Sequence, residues 1–332
     1  MRQTQCVFEG IGAGGDLIKE IDCFGERVVM EEVYEKIKEL LKNVDNQIPI
    51  FTQVLQGVGT CMLNLHYNWR RHVETRKVDE ADAIAQCMFQ MMICKVYSVI
   101  KLSEGNAIIP EKPSLKVLDV PTLTSVVRNM YEMAFVFHNI FVEQASTEER
   151  DILLYLWEIK GLNNRQGLHM VPAEYKDQEK REKREIDELR NKIIATLDKM
   201  NVSTKVKKEI LKVIETKGSN IKGYNFEKDE DGKIVLFKDV RFDSGYDELK
   251  KNIHPNTYKF MSFITHPSYL SVLQFGQMFN QNEDKAHLRT LLAVATQLAS
   301  RMCLDFVHSV TDAQAVYDAL DDEGKMIIEM WK

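Results

Sequence analysis

The 332-residue sequence lacks the cysteine spacings of a zinc site or a disulfide framework. Its six cysteines include no Cys-x-x-Cys pair, and no close Cys/His group has zinc-binding spacing. Cys87 and Cys94 would share one face of a helix. We predict that the cysteines are buried, reduced and serve as small apolar side chains, which fits a cytoplasmic protein. No bound metal and no cofactor is expected.

The sequence also lacks a large positive charge, an apolar leader and a clear transmembrane segment. Its net charge of −6 argues against a general nucleic-acid binder and disfavours DNA as a partner. Met1 to Gln5 are polar, unlike the start of a signal peptide. Residues 48–69 contain no Asp, Glu, Lys or Arg, but they hold too many other polar side chains for lipid. We therefore expect no membrane partner.

Two nucleotide-binding signatures are missing or out of context. No Gly-x-x-x-x-Gly-Lys-Ser/Thr string occurs in the chain. Gly10 to Gly15 match the dinucleotide fingerprint as a string, but no strand–helix–strand unit surrounds them. We interpret them as a glycine loop within an N-terminal segment of residues 1–28.

What the sequence does contain is helical periodicity along most of its length. In residues 48–69 the apolar residues recur at alternating intervals of four and three. Similar patterns predict the helices Val29–Asn43, Asp79–Leu102, Thr122–Val142, Ala286–His308, one beginning at Thr147 and a last one from Asp312 to near the end. The chain is therefore predicted to be all-α, an irregular antiparallel helical bundle formed by residues 29–172 and 245–332.

Residues 173–244 differ in composition and are predicted to be an insertion in this bundle. Between Tyr175 and Lys217 the chain is dense in Lys, Arg and Glu with a narrow apolar stripe, and Ser203 is placed to cap a second helix after a turn. This pattern indicates a charged, solvated helical hairpin that projects from the bundle. Asp231-Gly232 followed by Ile234–Phe237 predicts one small β-hairpin.

Two nearly uncharged helices each carry a few polar residues. Between Thr122 and Val142 the only charged side chains are Arg128 and Glu132, which lie four residues apart and can therefore touch. Charges on a helix that is apolar nearly all round are rare unless they are paired.

The second helix precedes a proline and carries its polar groups at intervals of four. Tyr258, Ser262 and His266 share one helical face, and Pro267 indicates that the helix ends at His266. Ser268 is placed to cap the next helix. A histidine at a helix C-terminus can serve as an acid, a base or an anion ligand.

We predict that the two polar sets meet in one buried or half-buried site. The catalytic candidates are Arg128, Glu132 and His266, and the ligand-binding candidates are Tyr258, Ser262 and Ser268. A hydrogen-bonded network that fixes the register of the two helices is an equal alternative. The histidines without polar neighbours of this kind are interpreted as structural: His138, His254 and His308.

These motifs resemble a group of uncharacterised bacterial helical proteins classed as a domain of unknown function. The resemblance rests on the Arg-x-x-x-Glu and Tyr-x-x-x-Ser-x-x-x-His-Pro-Ser strings and covers roughly Leu118 to His308. It implies a bacterial origin and no assigned activity.

The chain has a more distant similarity to the helical HEPN ribonucleases of toxin and phage-defence systems. Those enzymes cleave RNA with an arginine and a histidine on one helix, with four to six residues between them. Arg165 and His169 have only three residues between them, and Arg190 is followed by Thr196 where a histidine would be required. These two pairs therefore depart from the ribonuclease pattern.

Two functions remain open from the sequence, which does not decide whether the protein is an enzyme. In the first, the chain is a helical module that binds a partner protein or a small ligand. In the second, it is a defence- or toxin-type hydrolase of RNA or a nucleotide. Arg128 would then hold a phosphate, His266 would be the acid or base, and Glu132 would orient Arg128. We favour the first because no catalytic motif is intact. Uncharged polar helix faces are compatible with a homo-oligomer.

Overall fold

A computed structural model of the chain describes residues 44–107, 116–167, 172–216, 223–242, 256–281 and 283–331. Within these ranges the protein is an irregular bundle of eleven α-helices with two small antiparallel β-pairs. The predicted all-α fold class is thereby confirmed. The glycine-containing segment 1–28, the helix predicted over Val29–Asn43 and His254 lie outside the described residues.

The helices lie close to the boundaries that the apolar periodicity predicted. In chain order they are α1 (Val44–His72), α2 (Glu80–Ser103), α3 (Val120–Phe141), α4 (Thr147–Gln166), α5 (Lys176–Lys199), α6 (Thr204–Glu215), α7 (Thr257–Thr265), α8 (Tyr269–Gln281), α9 (Glu283–Ser309), α10 (Ala313–Asp318) and α11 (Asp322–Met330). The strands are β1 (Asn106–Ala107), β2 (Lys116–Val117), β3 (Gly223–Lys228) and β4 (Ile234–Val240), paired β1 with β2 and β3 with β4.

Helix α9 is the centre of the bundle, with α1, α2 and α3 packed around it. Phe306 of α9 stacks on Phe89 of α2 with 4.2 Å between ring centroids, and it meets Trp69 of α1 edge-on at 5.8 Å. At the other end of α1, Gln47 Oε1 accepts a hydrogen bond of 2.6 Å from Arg289 Nη1 near the start of α9. Helices α1 and α9 therefore run parallel.

Three helical segments are long and apolar enough to cross a membrane by length and composition: Gln47–His72, Glu80–Ser103 and Lys285–Ser309. In the structure their apolar stripes face one another, and 78% of the apolar window in α9 is buried, against 39% and 44% in α1 and α2. The core of this fold accounts for the hydropathy of α9, whereas α1 and α2 keep partly exposed faces. The expected cytoplasmic location and absence of a membrane partner remain predictions.

The cysteine prediction holds for only part of the set. The described cysteines are free thiols, and Cys61 and Cys303 are buried between α1 and α9 as expected. Cys87 and Cys94 are exposed, so their predicted burial was wrong. They do share one helical face, but it is the outer face of α2, which α9 does not cover.

The two helices predicted in the insertion form, but they pack on α4 of the bundle instead of projecting from it. Ser203 caps α6, since its Oγ accepts a hydrogen bond of 3.3 Å from the Val206 amide. The turn pairs with β4 through Ser203 N to Ile234 O at 3.0 Å and Ile234 N to Asn201 O at 2.9 Å. The apolar stripe of α5 packs on α4, and α6 packs on β4 and α4.

The predicted β-hairpin is present and docks on α3. Gly232 in its turn has the positive φ of 74° that favours glycine. The side-chain amide of Asn139 on α3 makes two hydrogen bonds to the backbone of β3, as a neighbouring strand would. Its Nδ2 donates to Tyr224 O at 3.1 Å, and its Oδ1 accepts from Tyr224 N at 3.0 Å. Gly223 allows this approach, because a Cβ there would lie 2.7 Å from the Phe135 ring.

The single last helix predicted from Asp312 is instead two short helices. Asp312 itself adopts a left-handed φ of 62°, and α10 ends at Asp318. Asp321 then caps α11, because its Oδ1 accepts a hydrogen bond of 2.7 Å from the Gly324 amide. A cap that satisfies a free amide at this point starts a new helix, which packs back on α1.

Candidate functional site

The first predicted polar pair lies in the middle of α3. The start of this helix is set by Asp119, whose Oδ1 accepts from the Thr122 amide at 3.1 Å, followed by a proline in the first turn. One turn apart on this helix, Arg128 Nη2 and Glu132 Oε1 form an ion pair of 3.0 Å. Both side chains are about a quarter exposed, so the pair is not sealed in the core.

Helix α7 crosses α3 and supplies the third member of the group. Tyr258 Oη donates to Glu132 Oε1 at 3.0 Å and accepts from Arg128 Nη2 at 3.3 Å. The guanidinium carbon also lies 5.5 Å from the centre of the Tyr258 ring. The structure thus joins Tyr258 of the second polar set to both members of the first set.

Thr265 is a member of this group that sequence reasoning missed. Its Oγ1 accepts a hydrogen bond of 3.3 Å from Arg128 Nη1 and donates one of 3.1 Å to the Ser262 carbonyl. The signal was available, since a spacing of seven residues puts Thr265 on the helical face of Tyr258. Arg128 Nε is buried and has no hydrogen-bond partner among the described residues.

These contacts and the burial of the site change the pKa values of Arg128 and Tyr258. Burial by itself lowers the pKa of Arg128, but the hydrogen bond to Tyr258 and the charge of Glu132 outweigh it, so the pKa is raised. The pKa of Tyr258 is raised as well, chiefly by burial. Arg128 therefore stays a cation and Tyr258 stays a hydroxyl donor to Glu132.

The group lines a cleft of about 990 Å³ between α3, α7 and β4. Its apolar walls are Met88, Met91, Met133, Val136, Trp157, Val240, Phe242 and Phe263. Its polar lining comprises Arg128, Asn129, Glu132, Arg241, Tyr258, Lys259, Ser262, His266 and Ser268. Every predicted site residue therefore lines one cavity, together with the basic residues Arg241 and Lys259.

His266 lines the cleft but does not join the hydrogen-bonded group. It ends α7, and its carbonyl accepts from the Ser268 amide at 2.7 Å and from Ser271 Oγ at 2.6 Å. Among the described residues, no hydrogen bond joins the His266 ring to Arg128 or Glu132. Ser268 caps α8, since its Oγ accepts from the Ser271 amide at 3.2 Å.

A second acid–base group lies further along α3, and it shows that the prediction of no polar neighbours for His138 was wrong. His138 Nδ1 and Asp305 Oδ2 of α9 are 2.9 Å apart, and Arg301 Nε donates to Asp305 Oδ1 at 3.0 Å. The pairing joins residues that are far apart in the chain, which a single sequence does not indicate.

Helix α9 also carries an arginine–histidine pair with a spacing that the sequence comparison overlooked. Arg301 and His308 have six residues between them and lie on one helix. His308 is exposed, whereas Arg301 is held by Asp305.

Comparisons with protein-family models, curated proteins and solved structures found no match to this chain. The resemblance to the bacterial helical group and the similarity to HEPN ribonucleases therefore remain predictions. In the part of the chain that the structure describes, no group of three or more His, Cys, Asp or Glu side chains is placed to hold a metal ion.

Proposed function

We propose that the chain is a binding module whose cleft takes a small anionic ligand with an apolar or aromatic body. The observation that carries the proposal is that the Arg128–Glu132–Tyr258 group lines a cleft whose surface is mostly apolar. Ligand sites are commonly concave and mostly apolar, with a few fixed polar groups, and have volumes up to about 1,000 Å³.

The guanidinium of Arg128 favours an anion in the cleft. The guanidinium of Arg128 is held by Glu132, Tyr258 and Thr265, so it is already oriented before a ligand arrives. A fixed guanidinium binds a carboxylate or phosphate with less loss of side-chain entropy than a mobile one.

The walls of the cleft favour a ligand with a flat apolar part. Trp157, Phe242 and Phe263 offer aromatic surfaces, and three methionines can adapt to the shape of a bound group. A nucleotide, free or at the end of an RNA, combines such a base with a phosphate. We therefore propose nucleotides as the first ligand class to test.

The test is calorimetric titration of the full chain with nucleoside monophosphates and triphosphates. Arg128→Ala should weaken binding by about tenfold or more, because a charge-assisted contact is lost. Arg190→Ala is the matched control, since Arg190 forms an exposed ion pair with Glu215 on α5 and α6. Equal affinity in wild type and Arg128→Ala, or no binding of any nucleotide, would contradict the proposal.

A second candidate function is the hydrolysis of RNA or a nucleotide, and one observation favours it. Arg128 and His266 line the same cleft, which is the arrangement that phosphate chemistry with a nearby acid or base needs. Turnover by wild type that is lost in His266→Ala, with nucleotide affinity retained, would replace the binding function by this one. Loss of turnover in His308→Ala instead would direct attention to Arg301 and His308 on α9.

A further inference from the structure

Helix α2 leaves one uncharged and largely apolar side exposed. Only 44% of its most apolar stretch is buried, against 78% in α9. The exposed side carries Cys87, Gln90, Met91 and Cys94, and Met91 is 54% exposed. We call this side of the helix the α2 face. Monomeric soluble proteins rarely expose a continuous apolar surface, so such a face usually marks a contact with another molecule.

Helix α1 extends this uncharged surface. Its residues 48–69 contain no Asp, Glu, Lys or Arg. Gly59 allows the two helices to approach closely, because a Cβ there would lie 2.9 Å from Val96 Cγ1 of α2. Leu63 and Tyr67, which are 45% and 58% exposed, follow further along α1. The described chain therefore presents an uncharged surface that is two helices wide.

The exposed charges of α2 lie at its two ends and have opposite signs. Among the charged residues of this fully described helix, only Glu80 in the first turn and Lys101 in the last turn are exposed. Each forms an exposed ion pair within the chain, Glu80 with Lys192 at 3.1 Å and Lys101 with Glu104 at 2.7 Å. Exposed pairs of this kind are weak, so both side chains can also contact a second molecule.

Four residues lie on one line along the α2 face. Glu80, Cys87, Cys94 and Lys101 recur at intervals of seven, which is close to two helical turns. The midpoint of this line falls halfway between the two cysteines. If a copy of the line is reversed end to end and laid against the original, each acid meets a base and each cysteine meets the other cysteine.

We infer that the α2 face binds the same face of a second copy of the chain, with the two α2 helices antiparallel about a two-fold axis. A two-fold contact uses one surface twice, and the reversed line complements itself as such a contact requires. Cys87 and Cys94 are small enough for the helix axes to approach to about 8 Å. This fixed match of charges favours a second copy over a lipid surface, which has no such pattern.

Disulfide cross-linking of the full chain tests the contact. In the antiparallel pair, Cys87 of one copy should lie opposite Cys94 of the other, within the roughly 4 Å between Cβ atoms that a disulfide needs. Diamide, which accepts the two hydrogen atoms of a thiol pair, should therefore yield a covalent dimer on a non-reducing gel. Cys6→Ser and Cys23→Ser are introduced into every protein tested, so that these two thiols cannot contribute.

Single cysteine variants separate the antiparallel pair from other contacts. Neither Cys87→Ser nor Cys94→Ser alone should give the covalent dimer, because the remaining cysteine then faces a serine. A mixture of the two variants should give it again, since the Cys94 of one faces the Cys87 of the other. Cross-linking by either variant alone would overturn the inference, because like cysteines meet only in a parallel pair or in random collisions.

Charge reversal tests the two ends of the contact. Glu80→Lys or Lys101→Glu alone places like charges opposite each other and should raise the Kd of the dimer several-fold in analytical ultracentrifugation. The double variant should restore most of the affinity, although it does not restore the ion pair with Lys192. Weakening that persists in the double variant would overturn the inference.

A charge near the two-fold axis should have the largest effect on the dimer. Gln90→Lys brings two like charges together there and should make the protein a monomer, with its circular dichroism spectrum unchanged. Gln314→Lys is the matched control on exposed α10 and should leave the dimer intact. A wild type that stays a monomer over the whole concentration range would overturn the inference. So would a wild-type monomer that binds phosphatidylglycerol vesicles when Gln90→Lys does not, which would assign the α2 face to a membrane.

Discussion

Two acid–base groups on one helix differ in how far they are buried. Near the middle of α3, Arg128 pairs with Glu132 and Tyr258 at distances of 3.0 and 3.3 Å. Ten residues further along, His138 pairs with Asp305 at 2.9 Å. The carboxylate of Glu132 is 27% exposed, whereas that of Asp305 is 1% exposed and also accepts from Arg301.

This difference separates a group that supports the fold from one that is available to a ligand. Only the carboxylate of Asp305 is fully buried, since His138 and Arg301 are 12% and 22% exposed, and the loss of this buried acceptor acts mainly on stability. A pair at the wall of a cleft can exchange contacts with solvent or a bound molecule at little cost. Similar chemistry on a single helix therefore occurs in two surroundings, and under the proposed function only the exposed group contacts a ligand.

The largest effect should come from the buried group. Asp305→Ala leaves His138 and Arg301 without their shared acceptor and should lower the free energy of unfolding by about 3–5 kcal/mol. Glu132→Ala in the cleft should cost about 1 kcal/mol, since both of its partners retain access to water. Urea denaturation measures the free energy of unfolding of both variants. Equal losses would contradict the distinction between the buried group and the cleft group.

The next largest effect should be on binding instead of stability. Arg128→Ala should lower nucleotide affinity by about tenfold or more while costing only about 1–2 kcal/mol of stability. Arg301→Ala, which removes the corresponding arginine of the buried group, should leave the affinity unchanged. Calorimetry and denaturation of the two variants provide the comparison. Loss of affinity in both variants would show that nucleotide binding does not depend specifically on the cleft group.

A smaller effect is expected from the hydroxyl that connects Arg128 and Glu132. Tyr258→Phe keeps the ring beneath the guanidinium but removes both hydrogen bonds of the Oη, and should cost about 0.5–1.5 kcal/mol. Affinity for the ligand should fall less than in Arg128→Ala, because the cation remains. A fall as large as that of Arg128→Ala would indicate that Tyr258 itself contacts the ligand.

The smallest effect concerns a third carboxylate, Glu158 of α4, whose buried Oε1 has no hydrogen-bond partner among the described residues. Burial and the negative charges of Glu80 and Glu185 raise the pKa of this carboxyl to about 7, although the positive charge of Lys192 acts to lower it. The folded protein therefore binds this proton more tightly than the unfolded chain does. Its contribution to stability should be complete below pH 4.5 and should be lost as the pH rises through 7. Melting temperatures across this range should show a shallower decline in Glu158→Gln, and an unchanged profile would contradict the assignment.

Local patterns in the sequence determined most of the helices and their ends. Ser203 caps α6, α7 ends before Pro267 and Gly232 turns the β-hairpin, because capping, proline geometry and positive φ depend on neighbours in the chain. The polar candidates on α3 and α7 were also visible, since sparse polar residues in apolar helices stand out.

Contacts between distant residues were decided only by the tertiary structure. His138 meets Asp305, Asn139 meets Tyr224, and α7 crosses α3 so that Tyr258 reaches Glu132. Each of these pairs is separated by more than eighty residues, and no local rule relates them. The periodicity of the sequence states which side of each helix is buried, but which helix covers that side follows from how all the apolar faces pack together.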